Sequence, residues 1–427
     1  MFQPTWESID ARPAPAWFDE AKFGIFIHWG LYSVPAWGPK GTYAEWYWHY
    51  LMDKDSETRN FHNRTYGEDF KYQDFTKDFK AELYRPEKWA DVFKRAGARY
   101  VVLTSKHHEG YCLWPNPQAW NWNSVDTGPH RDLLGDLTTA VRDTGLRMGY
   151  YYSLYEWYHP LYLSDPERYV VEHMIPQIKD LVTRYAPSIL WTDGEWDHPS
   201  EIWKSPEILA WLLNEGPNPE EVVINDRWGK GIRNVHGGFY TTEYGEVGGG
   251  MEPVISHKWE ECRGIGRSFG YNRNEDEEDY QKPRDLIHML IDIVAKGGNL
   301  LLDVGPTGDG RIPVIMQQRL LEMGKWLEVN GEAIYATTPW KVSGEGETMR
   351  YTAKGETLYA ISKGWPGKEL VVQAPKPGAK TNVSLLGYDP PLKAEHLDDR
   401  VHIEVPPLSV GEAPCQHAFV FKLEPTA

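Results

Sequence analysis

Six stretches of this chain end an apolar run on side chains able to do acid–base or hydrogen-bonding chemistry. In order they carry His28 after KFGIFI, Lys106-His107-His108-Glu109 after RYVVLTS, and Tyr151 to Glu156 within RMGYYYSLYEW. Then come Asp193 in ILWTDGEW, Asn225-Asp226-Arg227 after VVI, and Glu243 in FYTTEYG. Any one alone reads as a cap or a solvated turn. Six in succession read as a site, because polar groups that end the strands of one sheet converge at one edge. Asp193 and Glu243 meet the need of glycoside hydrolysis, in which one carboxylate attacks the anomeric carbon and a second, about 5–5.5 Å away, serves as acid and base. Glu246, Glu260 and Glu261 compete with Glu243 for the second role. The plainer alternative for Asp193 is a cap or a structural ion pair with Arg227, and Glu195 and Asp197 read as exposed loop acids.

The histidines admit a second chemistry. His28, His107 and His108 are possible imidazole ligands for a catalytic metal. However, Ile27-His28-Trp29 lacks the His-x-His spacing that puts two rings on one strand face, and adjacent His107 and His108 converge only where the chain bends. Neutral imidazoles that hydrogen-bond sugar hydroxyls explain the same residues, so neither a metal nor an organic cofactor is expected. Trp29, Trp46, Trp191 and Phe269 lie beside these positions and offer apolar platforms for the methyl group and C–H face of a deoxysugar.

The elements that position these groups alternate over residues 20–335. Apolar runs of strand length are separated by amphipathic stretches. Trp89, Val92, Phe93 and Ala96 share one helical face, as do Leu134, Leu137 and Val141, and Ile287, Leu290, Ile291 and Val294. Val171, Met174, Ile175, Ile178, Val182 and Tyr185 form a longer face that Pro176 should kink or restart. Repeated strand–helix units predict an α/β fold, an irregular (β/α)8-like barrel of the TIM type. GIGRSFG lacks the spacing of a dinucleotide fingerprint, and KGGNLLLDVGPTGDGRIP lacks the order of a phosphate loop. After Trp340 the runs TLYAISK, ELVVQA, NVSLLG, HIEVP and AFVFKL predict a C-terminal antiparallel β-sandwich. The expected domains are 1–338 and 339–427.

Composition narrows the partners. With 45 basic and 62 acidic residues the net charge is −17, which opposes a phosphate-tracking groove, so no nucleic acid is expected. Twenty Trp, 25 Tyr and 13 Phe argue against disorder and suit a neutral, hydroxyl-rich ligand. The three cysteines are far apart and make no disulfide framework or zinc cluster. No apolar stretch approaches the ~20 residues that span a bilayer, so a soluble protein without a membrane partner is expected. The expected compartment is the cytoplasm if the N-terminus is native, and the secreted or periplasmic space if a leader was removed. A homo-oligomer is compatible with the chain.

These motifs resemble the α-L-fucosidases of glycoside hydrolase family 29 over residues 17–340. The resemblance is carried by WFDEAKFGIFIHWGLYSVPAWG, AEWY, WADVFKRAGARYVVLTSKHHEGYCLW, GPHRDLLGDL, GYYYSLYEW, LWTDGEW, NDRWG, TTEY, RGIGRSFGYNRNE, NLLLDVGPTGDGRIP and WLEVNGEAIYATTPW. It implies a retaining exo-α-L-fucosidase acting on a fucosylated oligosaccharide or glycoconjugate. Asp193 would be the nucleophile and Glu243 the acid/base. His28, Glu45, Trp46, His107, His108, Tyr151, Trp191, Arg227 and Phe269 would line the fucose pocket. Glu109 and Asp303 depart from the family pattern, which commonly has Asp and Asn there, and the Gly-rich EVGGGMEP after Glu243 has no placed counterpart. The alternatives are another α-glycosidase on the same barrel, such as an α-L-galactosidase, and a non-catalytic fucose-binding protein.

Overall fold

A computed structural model of the chain describes residues 1–245, 257–376 and 380–425; EVGGGMEP, with Glu246, lies outside them. Eight parallel strands build the first part: β1 (Phe23–Ile27), β2 (Tyr100–Lys106), β3 (Arg147–Ser153), β4 (Ile189–Asp193), β5 (Val223–Ile224), β6 (Tyr240–Glu243), β7 (Trp259–Gly264) and β8 (Asn299–Val304). Their order, β5-β4-β3-β2-β1-β8-β7-β6, is that of a (β/α)8 barrel. Between β5 and β6 no ladder is formed among the described residues. The Asp226 side chain and one backbone bond bridge that seam. Asp226 Oδ1 accepts from Thr241 N at 3.1 Å and Thr241 Oγ1 at 2.7 Å, and Phe239 N donates to Ile224 O at 3.2 Å.

The strands read as unbroken apolar runs because both faces are buried. Ile25 and Ile27 pack outwards under the helices, whereas Phe26 joins Tyr151, Ile189, Trp191, Cys262, Phe269 and Leu301 inside the barrel. Side chains two apart share a face, so each inward column ends on a polar residue at the barrel mouth. The columns run from Phe26 to His28, from Ile189 and Trp191 to Asp193, and from Leu301 to Asp303. Gly24 lies in the first column because the Tyr100 ring crosses it; a Cβ there would come 2.3 Å from that ring.

β7 is the strand that the apolar pattern conceals. Glu260 points into the barrel, where Tyr100 Oη and Trp191 Nε1 donate to it, and Glu261 is held by Thr242 and Arg263. The segment with Pro176 restarts as expected. Val170–Met174 forms a π turn and an α-helix follows over Ile175–Tyr185, with Pro176 in its first turn, where its missing N–H costs little. The wide turn breaks the 3.6-residue register, and Val171 is 51% exposed rather than buried.

Beyond the barrel, two antiparallel sheets share one apolar core that includes Tyr351, Leu358, Val372, Val401 and Phe421. The larger sheet contains Thr338–Glu345, Met349–Lys354, Thr357–Ser362, Thr381–Leu385 and Phe419–Pro425. The smaller contains Glu369–Gln373, Ala394–Leu397 and Arg400–Glu404. This sandwich docks on barrel helices: Trp326 Nε1 donates to Ala418 O at 2.9 Å, and Asp292 pairs with Arg350 at 2.6 Å. Among the described residues no helix is long and apolar enough to cross a membrane.

Candidate active site

One cavity at the barrel mouth is lined by His28, Glu45, Trp46, His107, His108, Tyr151, Trp191, Asp193, Arg227, Glu243 and Phe269, together with Phe26, Tyr43, Trp196 and Cys262. The two carboxylates and the nine pocket residues that the resemblance implies therefore face one space. His107 and His108 do so because β2 ends at Lys106 and the chain turns; their rings lie 4.1 Å apart instead of on opposite faces.

Arg227 organises the centre. Its guanidinium is buried and uses the whole fork: Nη1 donates to Asp193 Oδ1 at 2.8 Å, Nη2 to Glu243 Oε2 at 3.1 Å and Nε to Thr241 Oγ1 at 2.9 Å. The indole of Trp191 lies 4.5 Å from the guanidinium carbon. The two neighbours that place Arg227 act as substitute backbone. Asn225 Oδ1 accepts from Thr192 N at 3.2 Å and Asn225 Nδ2 donates to Thr192 O at 2.8 Å, which continues the short β5 along β4. Asp226 does the same towards β6. Of the three residues ending β5, Arg227 alone reaches the cavity.

Asp193 closes the column above Trp191. The next residue must reverse the chain, and Gly194 adopts φ +76°, with the Tyr155 ring 2.3 Å from where a Cβ would stand. Tyr151 Oη donates to Asp193 Oδ2 at 3.1 Å, and Arg233 Nη2 reaches Oδ1 at 3.3 Å. Burial pushes the Asp193 carboxyl up, but Arg227 and Arg233 outweigh it and hold the group below its ordinary value. Asp193 is thus an anion at neutral pH. Glu243 receives the Tyr43 hydroxyl on Oε1 at 3.0 Å. Its rivals sit elsewhere. Glu260 is sealed inside the barrel with its carboxyl pushed up to about 7 by burial, and neither it nor Glu261 lines the cavity.

The chain matches the family model described as alpha-L-fucosidase over residues 1–332, and that of the alpha-L-fucosidase C-terminal domain over 345–424. It is 46% identical to the tissue alpha-L-fucosidase of Bos taurus, over 99% of this chain and 91% of the relative. The chain belongs to the α-L-fucosidase family of glycoside hydrolases. The human tissue enzyme is 44% identical over the same shares. Among solved structures, the Thermotoga maritima alpha-fucosidase in complex with a mechanism-based inhibitor superposes with a TM-score of 0.87 at 39% identity, covering 99% of this chain and 100% of that one. A Bacteroides thetaiotaomicron GH29 alpha-L-fucosidase gives 0.80 at 26% identity, covering 97% and 96%.

Two sequence expectations change in this family member. Trp29 is not a sugar platform. It packs in the core against Phe79, Tyr84 and Trp89, with ring centroids 5.3, 4.9 and 5.0 Å away. Glu195 is not an exposed loop acid; it is 2% exposed and pairs with Arg233 Nε at 2.5 Å. The ion pair foreseen as the alternative for Asp193 is present, inside the cavity. Tyr43 and Arg233 are site residues that no strand pattern marks, since both come from loops. Among the described residues, the group with metal-ligand spacing is Glu156, His159 and His173, none of which lines this cavity.

The remaining cavity groups are tuned by burial. Glu45 accepts from Gly270 N at 2.8 Å and Ser268 Oγ at 3.1 Å, and burial lifts its carboxyl to about 7. His107 is depressed to about 3 by burial, so it meets a ligand as a neutral ring. Asp303 Oδ1 stands 2.7 Å from His28 Nδ1. Burial, and then the charge of Glu45, raises the Asp303 carboxyl far above its usual range, while burial and His107 depress His28. The pair is neutral. One hydrogen bond joins Asp303 Oδ1 and His28 Nδ1 and fixes the ring, which leaves Nε2 for the cavity. Asp303→Asn keeps a hydrogen-bonding group at that place and should hold kcat/KM for an aryl α-L-fucoside within about threefold, whereas Asp303→Leu should lose about tenfold or more. Equal losses in the two variants would contradict a role for this hydrogen bond in holding the ring.

Proposed function

We propose that this chain is a retaining exo-α-L-fucosidase that removes terminal α-L-fucosyl units from glycans through a covalent fucosyl-enzyme intermediate. The observation that carries the reading is the single buried guanidinium of Arg227 shared by Asp193 and Glu243, in a cavity walled by neutral imidazoles and aromatic rings. Asp193, ionised and oriented by Tyr151 and two arginines, attacks the anomeric carbon. Glu243 in its protonated form donates to the leaving oxygen, and as a base it then activates the water that cleaves the ester. His28, His107, His108 and Glu45 hydrogen-bond the ring hydroxyls, while Trp46, Trp191 and Phe269 meet the apolar face and methyl group. Bonds that tighten as the oxocarbenium-like state forms raise kcat; those made equally beforehand lower only KM.

A panel of aryl glycosides tests the sugar. α-L-Fucosides should be cleaved in preference to α-L-galactosides, which carry a hydroxymethyl in place of the methyl on C5, and the first product seen by NMR should be the α anomer. A β anomer formed before mutarotation contradicts the two-step mechanism, and binding without turnover contradicts hydrolysis altogether. Glu243→Ala should lower turnover of natural linkages by about 10²–10⁴-fold and spare the first step for aryl leaving groups. Added azide should then give α-fucosyl azide. The same behaviour in Glu260→Ala instead would transfer the acid/base role to that residue.

We place the domain boundary at 338/339. The sandwich would act as a brace, because it contributes no wall to the cavity and covers barrel helices. Residues 1–338 alone should melt well below the full chain; an unchanged melting point contradicts the brace.

A further inference from the structure

A second pocket, of about 300 Å³, lies at the same barrel mouth and shares no wall with the catalytic cavity. Its walls include Trp48, Trp122 and Tyr158, with Gln118 and His159 as polar groups and Trp120 at the rim. Trp120 is 78% exposed, an arrangement water disfavours for so large a ring. The loop that presents it is nevertheless firmly tied. Asn116 Oδ1 accepts from Gln118 N at 3.1 Å and Ala119 N at 3.2 Å, Trp122 N donates to Ala119 O at 2.8 Å, and Asn123 Nδ2 binds Ala119 O at 3.0 Å. An apolar ring fixed in solvent beside an aromatic pocket is a preorganised platform.

The charges beneath decide what kind of ligand fits. Glu156, His159 and His173 are close enough for a cation, with ligand atoms within 4.8 Å of one another. Lys106 Nζ at 2.9 Å and His173 Nε2 at 2.7 Å both bind Glu156 Oε1, and His159 Nδ1 accepts from Leu161 N at 3.2 Å. Two carboxylates line the pocket: Glu156 is paired with Lys106 and His173, and burial pushes Glu109 up to about 8, so among the described residues the lining offers no unpaired anion at neutral pH to favour an ammonium group or a metal. Aromatic faces beside an amide and an imidazole N–H suit a neutral ring of hydroxyls. The pocket also adjoins the catalytic one through rings. Trp46, a wall of the cavity, lies 5.2 Å from Trp157, which lies 6.4 Å from Tyr158.

From this arrangement we infer that the Trp120 pocket is a second sugar-binding site, holding a ring of the glycan other than the fucosyl unit being cleaved. It rests on the fucosidase reading only for the identity of the glycan. Engagement of two parts of one branched substrate raises the effective concentration of the scissile end, so the gain appears in KM for large glycans alone.

The test is Trp120→Ala, whose exposed position leaves folding intact. KM for a fucosylated biantennary oligosaccharide should rise at least about fivefold, the equivalent of about 1 kcal/mol, while kcat/KM for an aryl α-L-fucoside stays unchanged. The same oligosaccharide with its fucose removed should bind the parent enzyme in calorimetry and lose that binding in the variant. Unchanged KM and equal binding would overturn the site. So would sedimentation showing that the substitution abolishes self-association while glycan binding persists. If neither substrate were hydrolysed the fucosidase reading would fail, and the calorimetric comparison would still decide this inference.

Discussion

Asp193→Asn is expected to reduce turnover of every α-L-fucoside on the order of 10⁴-fold or more, with no dependence on the leaving group, because the proposed mechanism has no second group to form the fucosyl ester. The amide keeps an oxygen for Arg227 Nη1 and nearly the same volume, so the fold and the sugar walls persist and an unreactive fucoside should still bind. Asp193→Gly opens space for a small nucleophile. Azide entering there attacks the face that the carboxylate used and should give β-fucosyl azide, the opposite anomer from that formed in Glu243→Ala. The stereochemical pair assigns the two carboxylates independently of rate. Residual activity above about 1% in Asp193→Asn, or the same anomer from both variants, would reject the assignment.

The pH response of the parent enzyme follows from the same residue. The folded Asp193 carboxyl lies below its unfolded value of about 3.9 because Arg227 and Arg233 outweigh burial. Its contribution to stability is present above that unfolded value and is lost as pH falls through the folded one. The acid limb of kcat/KM that belongs to Asp193 should accordingly lie below the ordinary carboxylate range.

Much of this site was legible because the period of a strand is two. His28 follows Phe26, Asp193 follows Trp191, and Asp303 follows Leu301, so the inward columns and the polar groups at their tops are written in the residue order. The same rule applied to Trp29, one residue after His28, would have turned it away from the cavity. What was not legible depends on contacts between distant segments. Glu260 and Glu261 make β7 look like an exposed charged turn, and their partners Tyr100, Trp191, Thr242, Gly245 and Arg263, from other segments or the strand's own end, neutralise that signal. Asn225 and Asp226 look like polar site residues beside Arg227, yet they replace backbone ladders to β4 and β6. Tyr43 and Arg233 reach the carboxylates from loops with no periodicity. Glu195 is buried by the cation it pairs with rather than by any apolar pattern of its own.

Arg227 carries the second large effect, since under the proposed mechanism it would serve catalysis and fold at once. Arg227→Met keeps an apolar stem against Trp191 but removes three charge-assisted or neutral hydrogen bonds and the one cation shared by two carboxylates. Of its arginine partners Asp193 would keep Arg233, whose side chain is 32% exposed and whose bond is longer, at 3.3 Å. Loss of one partner of a buried ion pair costs about 3–5 kcal/mol, so the melting point should fall clearly. Turnover should fall by about 10²–10³-fold, the range seen when one preorganised donor is removed from a reacting charge. The sign of the pH effect is fixed as well. With Arg227 gone, burial and the neighbouring Glu243 both favour the neutral acid, so the acid limb of kcat/KM must move to higher pH and low-pH stability must depend less on Asp193. In the double variant Asp193→Asn/Arg227→Met, the buried anion that the missing arginine would leave exposed to repulsion is also absent. Its melting point should therefore lie above that of Arg227→Met alone, a non-additivity that two independent residues would not show. A double variant that melts at the sum of the two single losses would mean that Arg227 braces the barrel through Thr241 and Trp191 and not through the carboxylates.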